Sequence, residues 1–271
     1  MDYSVLMSVY KKDNPEWLKI AIESILNQTV KTNDFVIVED GALSYELDTV
    51  LRKYKRKYSN IIKLIKLEEN VGLGLALQRG IRECKNEWIA RIDADDYSKN
   101  DRCERQINKI LEDKTIDIIG TNHIEFMDDF TNVIAIKKLP VKHEEIVKYA
   151  KRRNPFSHSA VMYRKSKVIE AGNYKSCYLC EDYDLWIRMI EAGAKCFNID
   201  DELSYVRVNK DLYKRRGGIK YLHSLLKFKT EQYNKGFYSL SDYLISSTSH
   251  VLVCLMPTAM RKIVYEKFLR G

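Results

Sequence analysis

The chain has 271 residues, 45% hydrophobic and 31% charged, with 11 Gly and 4 Pro. These proportions exclude a disordered, fibrous or low-complexity protein and suffice for the core of one large α/β domain or two small ones. The formal charge is +8, but Tyr205 to Gly271 alone holds thirteen Lys/Arg against four Asp/Glu, so the basic character belongs to the last quarter of the chain.

Strand and helix signals alternate through the first half. Tyr3 to Val9 reads as a strand. Trp17 to Asn27 carries apolar residues at helical spacing, with Asn14 placed to cap it and Pro15 at its first position. Asp34 to Val38 is a second strand, Tyr45 to Tyr58 an amphipathic helix and Ile61 to Leu67 a third strand. Leu73 to Cys84 is a helix, Trp88 to Ile92 a fourth strand, Lys99 to Leu111 a helix and Ile116 to Ile124 a fifth strand. This rhythm predicts a mostly parallel sheet with helices on both faces and a ligand site beyond the strands' carboxyl ends. Later, Val133 to Leu139, Ala160 to Tyr163 and Ser204 to Val208 read as strands and Tyr183 to Ala192 as a helix. From Ile219 onward the pattern is helical, with Pro257 separating the last two helices. The simplest division is a domain over residues 1–208 and a basic helical C-terminal extension over 209–271.

Two acidic segments carry the chemistry. Trp88-Ile-Ala-Arg-Ile-Asp-Ala-Asp-Asp96 ends an apolar strand in three carboxylates. If the strand persists, Asp93 and Asp95 face the same side and repel one another, which a hard divalent cation such as Mg2+ or Mn2+ relieves. The plainer role of Asp95 and Asp96 is to cap the following turn. Glu181-Asp-Tyr-Asp184 opens an amphipathic helix, where negative charge suits the helix dipole and where a carboxylate can also act as a general base.

With Ser4 to Tyr10, Ser24 to Thr29, Val36 to Gly41, Glu69 to Gly74, Ile89 to Asp96 and Glu181 to Trp186 in this order, the chain resembles the family 2 glycosyltransferases, inverting enzymes of the GT-A fold. The likeness is to bacterial members that build O-antigen, capsule or exopolysaccharide repeats, and it runs from about Ser4 to Val208. It implies that Val9 and Tyr10 line the base pocket and that Asp40 bonds the base or ribose. Asn70 and Gly72 would approach the nucleotide, with Arg79 as a base or phosphate contact. Asp93 and Asp95 would form the D-x-D that reaches ribose and metal-bound diphosphate, and Asp182, beside Glu181, would be the catalytic base. Many relatives carry a metal-ligating His after the last strand; here Asn209 stands there, and Lys214, Arg215 and Arg216 would hold the diphosphate by charge. The implied donor is a UDP-sugar, the metal Mn2+ or Mg2+, and the acceptor an undecaprenyl-diphosphate-linked saccharide. Trp186 continues an apolar helix face and reads as core. His158 is read either as an acceptor contact or as a buried, hydrogen-bonded residue.

A sugar-phosphate nucleotidyltransferase would show a Gly-rich loop after the first strand, where this chain has Tyr10-Lys-Lys-Asp-Asn-Pro15. A nucleic-acid-binding protein would leave Asp93, Asp95 and Asp182 unexplained, so no nucleic-acid partner is expected. Met1 to Val9 lacks the pattern of a signal peptide, and no run of about 18 apolar residues occurs. The tail mixes Arg261, Lys262, Lys267 and Arg270 with Met260, Ile263, Phe268 and Leu269, which suits a helix lying on an anionic membrane or one packed on the domain. The expected location is cytoplasmic, peripheral to the inner face of the membrane. All six cysteines, Cys177 and Cys180 included, read as reduced thiols.

Overall fold

Strand β1 (Tyr3–Val9) is the centre of the first half of the structure, a computed structural model that describes residues 1–209 and 212–264. Helix α1 (Pro15–Leu26) follows it, then β2 (Asp34–Glu39), α2 (Tyr45–Lys57), β3 (Ile62–Lys66), α3 (Leu73–Glu83) and β4 (Trp88–Arg91). These four strands are parallel in the order β3-β2-β1-β4. The chain leaves β1 on one side and returns on the other, so their carboxyl ends form the crevice that such a switch of strand order creates. Asn14 caps α1 as expected, its Oδ1 accepting from the backbone N–H groups of Glu16 at 2.8 Å and Trp17 at 3.3 Å.

The second half comprises β5 (Tyr97–Ser98), α4 (Arg102–Glu112), β6 (Ile116–Met127), β7 (Asp129–Lys137), α5 (His143–Ala150), β8 (Met162–Arg164), α6 (Lys165–Glu170), α7 (Glu181–Glu191) and β9 (Lys195–Arg207). Strand β8 runs antiparallel between β4 and β6, while β9 runs parallel to β6, so the sheet continues as one surface. Strand β9 starts nine residues before the expected Ser204. Its middle, Asp200-Asp201-Glu202, breaks the apolar alternation, and its register against β6 shifts there. The short helices α5 and α6 present too few apolar positions to stand out in the sequence.

Alternation along the strands separates two cores. Tyr3, Val5, Met7 and Val9 pack with Leu18, Ile22 and Ile25 of α1 and Leu51 of α2. Leu6, Val36 and Val38 face the opposite way, onto Leu77 and Ile81 of α3 and Leu185, Trp186 and Met189 of α7. Trp186 is therefore core, as its helical phase suggests. The outer face of α7 is also covered: Tyr183 and Ile187 pack with Tyr221, Leu225 and Phe228 of helix α9 and with Tyr238 and Cys254. After α8 (Leu212–Arg215), the tail is thus α9 (Ile219–Asn234), α10 (Leu240–Leu255) and α11 (Thr258–Val264).

Among the described residues, two of the tail's basic side chains are buried. Lys229 is fully buried and donates from Nζ to the Ser246 carbonyl at 2.6 Å. Arg261, expected among the membrane-facing cations, is only 4% exposed and donates to the carbonyls of Val253, Cys254 and Met256, closing the end of α10. The remaining tail residues named above, Lys267, Phe268, Leu269 and Arg270, lie outside the described residues. Cys177 and Cys180 form a disulfide, contrary to the thiol reading, because the turn before α7 brings their Cα atoms to 5.3 Å. Cys84, Cys103, Cys196 and Cys254 are free and buried.

Leu225 is 3% exposed at the centre of the third core. Leu225→Ala should lower stability by about 2–5 kcal/mol, read as a shift in the urea midpoint.

Candidate active site

Asp40 follows β2 and is buried. Its carboxylate accepts from Val71 N at 2.8 Å, Gly72 N at 3.1 Å and Asn70 Nδ2 at 2.9 Å, so it ties the β3–α3 loop to the end of β2. Gly41 makes the two segments compatible. It has φ +81°, and a Cβ there would sit 2.6 Å from Asn70 N. Asn70 and Gly72 are therefore assembled with Asp40 at the carboxyl edge of the sheet, through Asp40 itself. Tyr10 lies at the same edge, 39% exposed, and the charges of Asp95 and Arg215 both reach its hydroxyl. Val9, in contrast, is wholly within the first core, and its carbonyl accepts from Asp40 N–H at 2.8 Å.

Strand β4 stops at Arg91, so the period-two alignment of Asp93 with Asp95 does not arise; Asp93 to Asp96 instead form a tight turn closed by Asp96 N–H to the Asp93 carbonyl at 3.4 Å. Arg91 is fully buried beneath it and meets Asp93 Oδ1 at 2.6 Å, while its Nε and Nη1 find no hydrogen-bond partner among the described residues. Arg207 of β9 grips the turn from the other side. Its N–H donates to Asp96 Oδ1 at 2.7 Å and its Nε to the Asp95 carbonyl at 3.1 Å, and its guanidinium lies over the rings of Trp17 and Phe126. Burial, then the charge of Asp93, pushes the Asp95 carboxyl up to about 6. Burial and both neighbouring carboxylates hold Asp96 well above its usual range. Asp13, in the loop after β1, is pushed up to about 7 by burial and by the charges of Asp95 and Asp93.

Among the described residues no group of three or more His, Cys, Asp or Glu side chains is placed to hold a metal ion. The donors that are present fit a hard divalent cation in kind: carboxylate oxygens, crowded enough to raise one another's pKa, with Asp95 in no ion pair among the described residues. Such a cation needs further oxygen ligands from a bound molecule. Asn209 is exposed just past β9.

Glu181 and Asp182 form the first turn of α7. Burial raises the Asp182 carboxyl, and the nearby charge of Asp93 adds to this; Asn154 opposes it by donating from Nδ2 to Asp182 Oδ2 at 2.5 Å. Glu181 is pushed up to about 7 by burial and by Asp182. Gly74 lets α3 press against this turn, since a Cβ there would run into the Lys175 carbonyl and approach Cβ of Glu181 at 3.3 Å. Asp93, Asp182, Asn154, Arg207 and Arg216 line a single cavity of about 700 Å³. His158 lines it too, its Nε2 2.9 Å from the Tyr174 hydroxyl and its basicity suppressed by burial and by Arg91.

Of the expected basic residues, Lys214, Arg215 and Arg216 are exposed, with Arg215 acting on Tyr10 and Arg216 in the cavity wall. Arg79 is not brought to them. It pairs with Glu83 at 3.4 Å, and Glu83 also holds Lys63 near the start of β3, at the opposite end of the sheet. Asp13, Arg91, Asn154 and Arg207 were not singled out from sequence. The position of Asp13 directly after a strand was a usable signal; Arg207 reaches the acidic turn only through the pairing of β9.

The model of the family described as Glycosyl transferase family 2 matches residues 4–172. The Escherichia coli protein named UDP-Gal:alpha-D-GlcNAc-diphosphoundecaprenol beta-1,3-galactosyltransferase is 36% identical over 268 residues, 99% of this chain and 96% of its own length. Amylovoran biosynthesis glycosyltransferase AmsE of Erwinia amylovora is 34% identical, over 99% of this chain and 100% of its own. Among solved structures, S. aureus TarS 1-349 in complex with UDP-GlcNAc has a TM-score of 0.66 at 14% identity, covering 99% of this chain and 72% of that one. The mannosyltransferase PcManGT from Pyrobaculum calidifontis, in complex with GDP-Man and Mn2+, has a TM-score of 0.67 at 15% identity, covering 97% and 78%. These likenesses show the GT-A fold.

Asp40→Ala would leave the N–H groups of Val71 and Gly72 and the Asn70 amide without their acceptor. The expected cost is about 1–3 kcal/mol, with hydrogen exchange faster at Val71 and Gly72 than in the α1 core.

Proposed function

The chain belongs to glycosyl transferase family 2, and from that premise we propose that it is a metal-dependent, inverting hexosyltransferase using a UDP-sugar donor and a saccharide acceptor carried on undecaprenyl diphosphate. The observation that carries this reading is the placement of Asp182, a carboxylate raised by burial and oriented by Asn154, in one cavity with Asp93 of the acidic turn. The E. coli relative, named for a UDP-galactose donor and a GlcNAc-diphosphoundecaprenol acceptor, supports the choice of substrates.

In this reading Tyr10 and the loop held by Asp40 receive the nucleoside, and Arg91 sets Asp93 toward the ribose and diphosphate. Lys214, Arg215 and Arg216 add positive charge on the diphosphate side. Asp95 and Asp93 would hold Mn2+ or Mg2+, whose charge offsets that building on the leaving nucleotide. Asp182 takes the proton of an acceptor hydroxyl, which attacks the anomeric carbon opposite the departing UDP. A single displacement inverts configuration, so an α-linked donor yields a β-linked product. Glu181 beside it is raised by burial and by the charge of Asp182.

The test is product formation from a panel of UDP-hexoses and an alkyl GlcNAc diphosphate, with Mn2+ or with excess chelator; full turnover in chelator would reject the metal. Asp182→Asn should lower kcat by at least about 10²-fold while UDP still binds; a variant keeping more than about a tenth of the turnover rejects Asp182 as the base. The base works deprotonated, so turnover falls as pH drops through its raised pKa. Asn154→Ala removes a donor that favours the charged form, and the acid limb of the pH–kcat profile should move to higher pH.

We place the enzyme peripherally on the cytoplasmic face of an anionic membrane. No described helix is long and apolar enough to cross one. Helix α10 exposes Leu240, Leu244, Leu252 and Leu255, and α11 exposes Met260 and Ile263 beside Lys262. Each exposed Lys or Arg near an anionic surface contributes about 1 kcal/mol. Co-sedimentation with anionic liposomes should exceed that with neutral ones, fall with salt, and weaken in Leu252→Ser/Leu255→Ser; equal binding to both vesicles, or to neither at low salt, overturns the placement.

A further inference from the structure

The cavity that opens at Asp182 extends past the reacting groups to α9 and α10, where Leu225, Ile245, Ser246 and His250 form its far wall. Several features there suit an anion. Arg153 lines the cavity, and its guanidinium makes no hydrogen bond or ion pair among the described residues, whereas its neighbour Arg152 is held by Asp242 at 3.0 Å. Ser246 of the same cavity is 3% exposed, yet its Oγ has no hydrogen-bond partner among the described residues. Behind it lies Lys229, its Nζ 2.7 Å from His250 Nδ1 and in no ion pair with a carboxylate among the described residues. The charge of Arg153 reaches His250 as well, so the two cations act on the same end of the cavity.

Arg153 immediately precedes Asn154, whose amide holds Asp182. A cation and a base lining one cavity can serve two ends of one sugar ring: the attacking hydroxyl at Asp182 and the anomeric substituent at Arg153. Ile245 belongs both to the cavity wall and to the exposed apolar side of α10, so the path from Asp182 past Arg153 ends at the surface placed against lipid.

We infer that Arg153, with the Ser246 hydroxyl of the same cavity, forms a second anion subsite that binds the diphosphate joining the acceptor sugar to its lipid. The inference rests on the glycosyl-transfer reading above and adds the residues that select the acceptor. A fork of guanidinium donors suits a diphosphate, which offers several oxygens to one planar group. The donor also carries a diphosphate, so the test must separate the two.

Two probes do so on the full-length protein: GlcNAc 1-diphosphate bearing an alkyl chain, and the alkyl glycoside of the same sugar without phosphate. Calorimetric titration of the first into UDP-saturated wild type and Arg153→Gln should show Kd rising about tenfold in the variant. The kcat/KM preference for the diphosphate probe over the glycoside should collapse by a similar factor. The Kd for UDP alone should stay within about twofold. An unaltered preference and Kd, or UDP affinity falling in step, overturns the subsite; the latter assigns Arg153 to the donor. Absence of transfer by wild type, with the probe still bound through Arg153, instead overturns the glycosyl-transfer reading and leaves the anion subsite standing. If the glutamine variant does not fold, Arg153→Lys carries the same test, since it keeps the charge but loses the fork.

Discussion

Helix α7 is buried on two sides, and the site depends on that. Leu185, Trp186 and Met189 lock it to the sheet, while Tyr183 and Ile187 lock it to the tail helices. Trp186 is fully enclosed, with the rings of Phe156, Tyr163, Tyr174 and His158 around it. A helix held this way cannot rotate or slide without breaking one apolar contact set or the other. Its first turn, with Glu181 and Asp182, therefore stays fixed relative to the turn after β4. The same rigidity lets Asn154, from a loop, orient the Asp182 carboxylate through one hydrogen bond.

The acidic turn shows a second constraint, the handling of buried charge. Arg91 and Arg102 are both fully buried. Arg102 donates to the carbonyls of Arg91 and Ser159, so it ties the end of β4 to the loop that carries His158. Arg91 has Asp93 as its ion-pair partner. Removing Asp93 leaves the Arg91 charge uncompensated in a low-dielectric interior, which costs far more than the pair gains. The carboxylates above them repel one another and are raised in pKa. The turn is thus assembled against repulsion among its own carboxylates.

Much of this was legible in the sequence, and the failures have common causes. The alternation of strands and helices, the Asn14 cap and the core position of Trp186 follow from local periodicity and capping chemistry, which act over a few residues. The structure places Arg79 beside Glu83 and Arg261 inside the tail, whereas composition and family order say nothing about burial or about which neighbour a side chain meets. Arg79 sits four residues before Glu83 and is drawn to it. Lys229 and Arg261 counted as surface charge, yet they satisfy carbonyls inside the helical tail. Arg207 was invisible for another reason: it reaches Asp96 across 111 residues, and the pairing of β9 with β5, Tyr97 against Tyr205, brings it there. The long strand β9 itself was shortened in the reading by its acidic middle, where a bulge interrupts the alternation on which strand recognition relies.

The third apolar core has a consequence for how such chains diverge and recombine. Tyr183 and Ile187 belong to the helix that carries Glu181 and Asp182, but their partners, Tyr221, Leu225 and Phe228, lie in the tail. The Tyr183 hydroxyl donates to the Ala150 carbonyl at 2.5 Å and lies 3.1 Å from the Tyr238 hydroxyl, so the joint is polar as well as apolar. The tail is consequently not a cassette that can be exchanged at a linker. A chimera made by crossing over after β9 would pair one enzyme's α7 with another's α9 and open voids or clashes at that joint. Recombination that preserves folding has to transfer the outer face of α7 together with the tail.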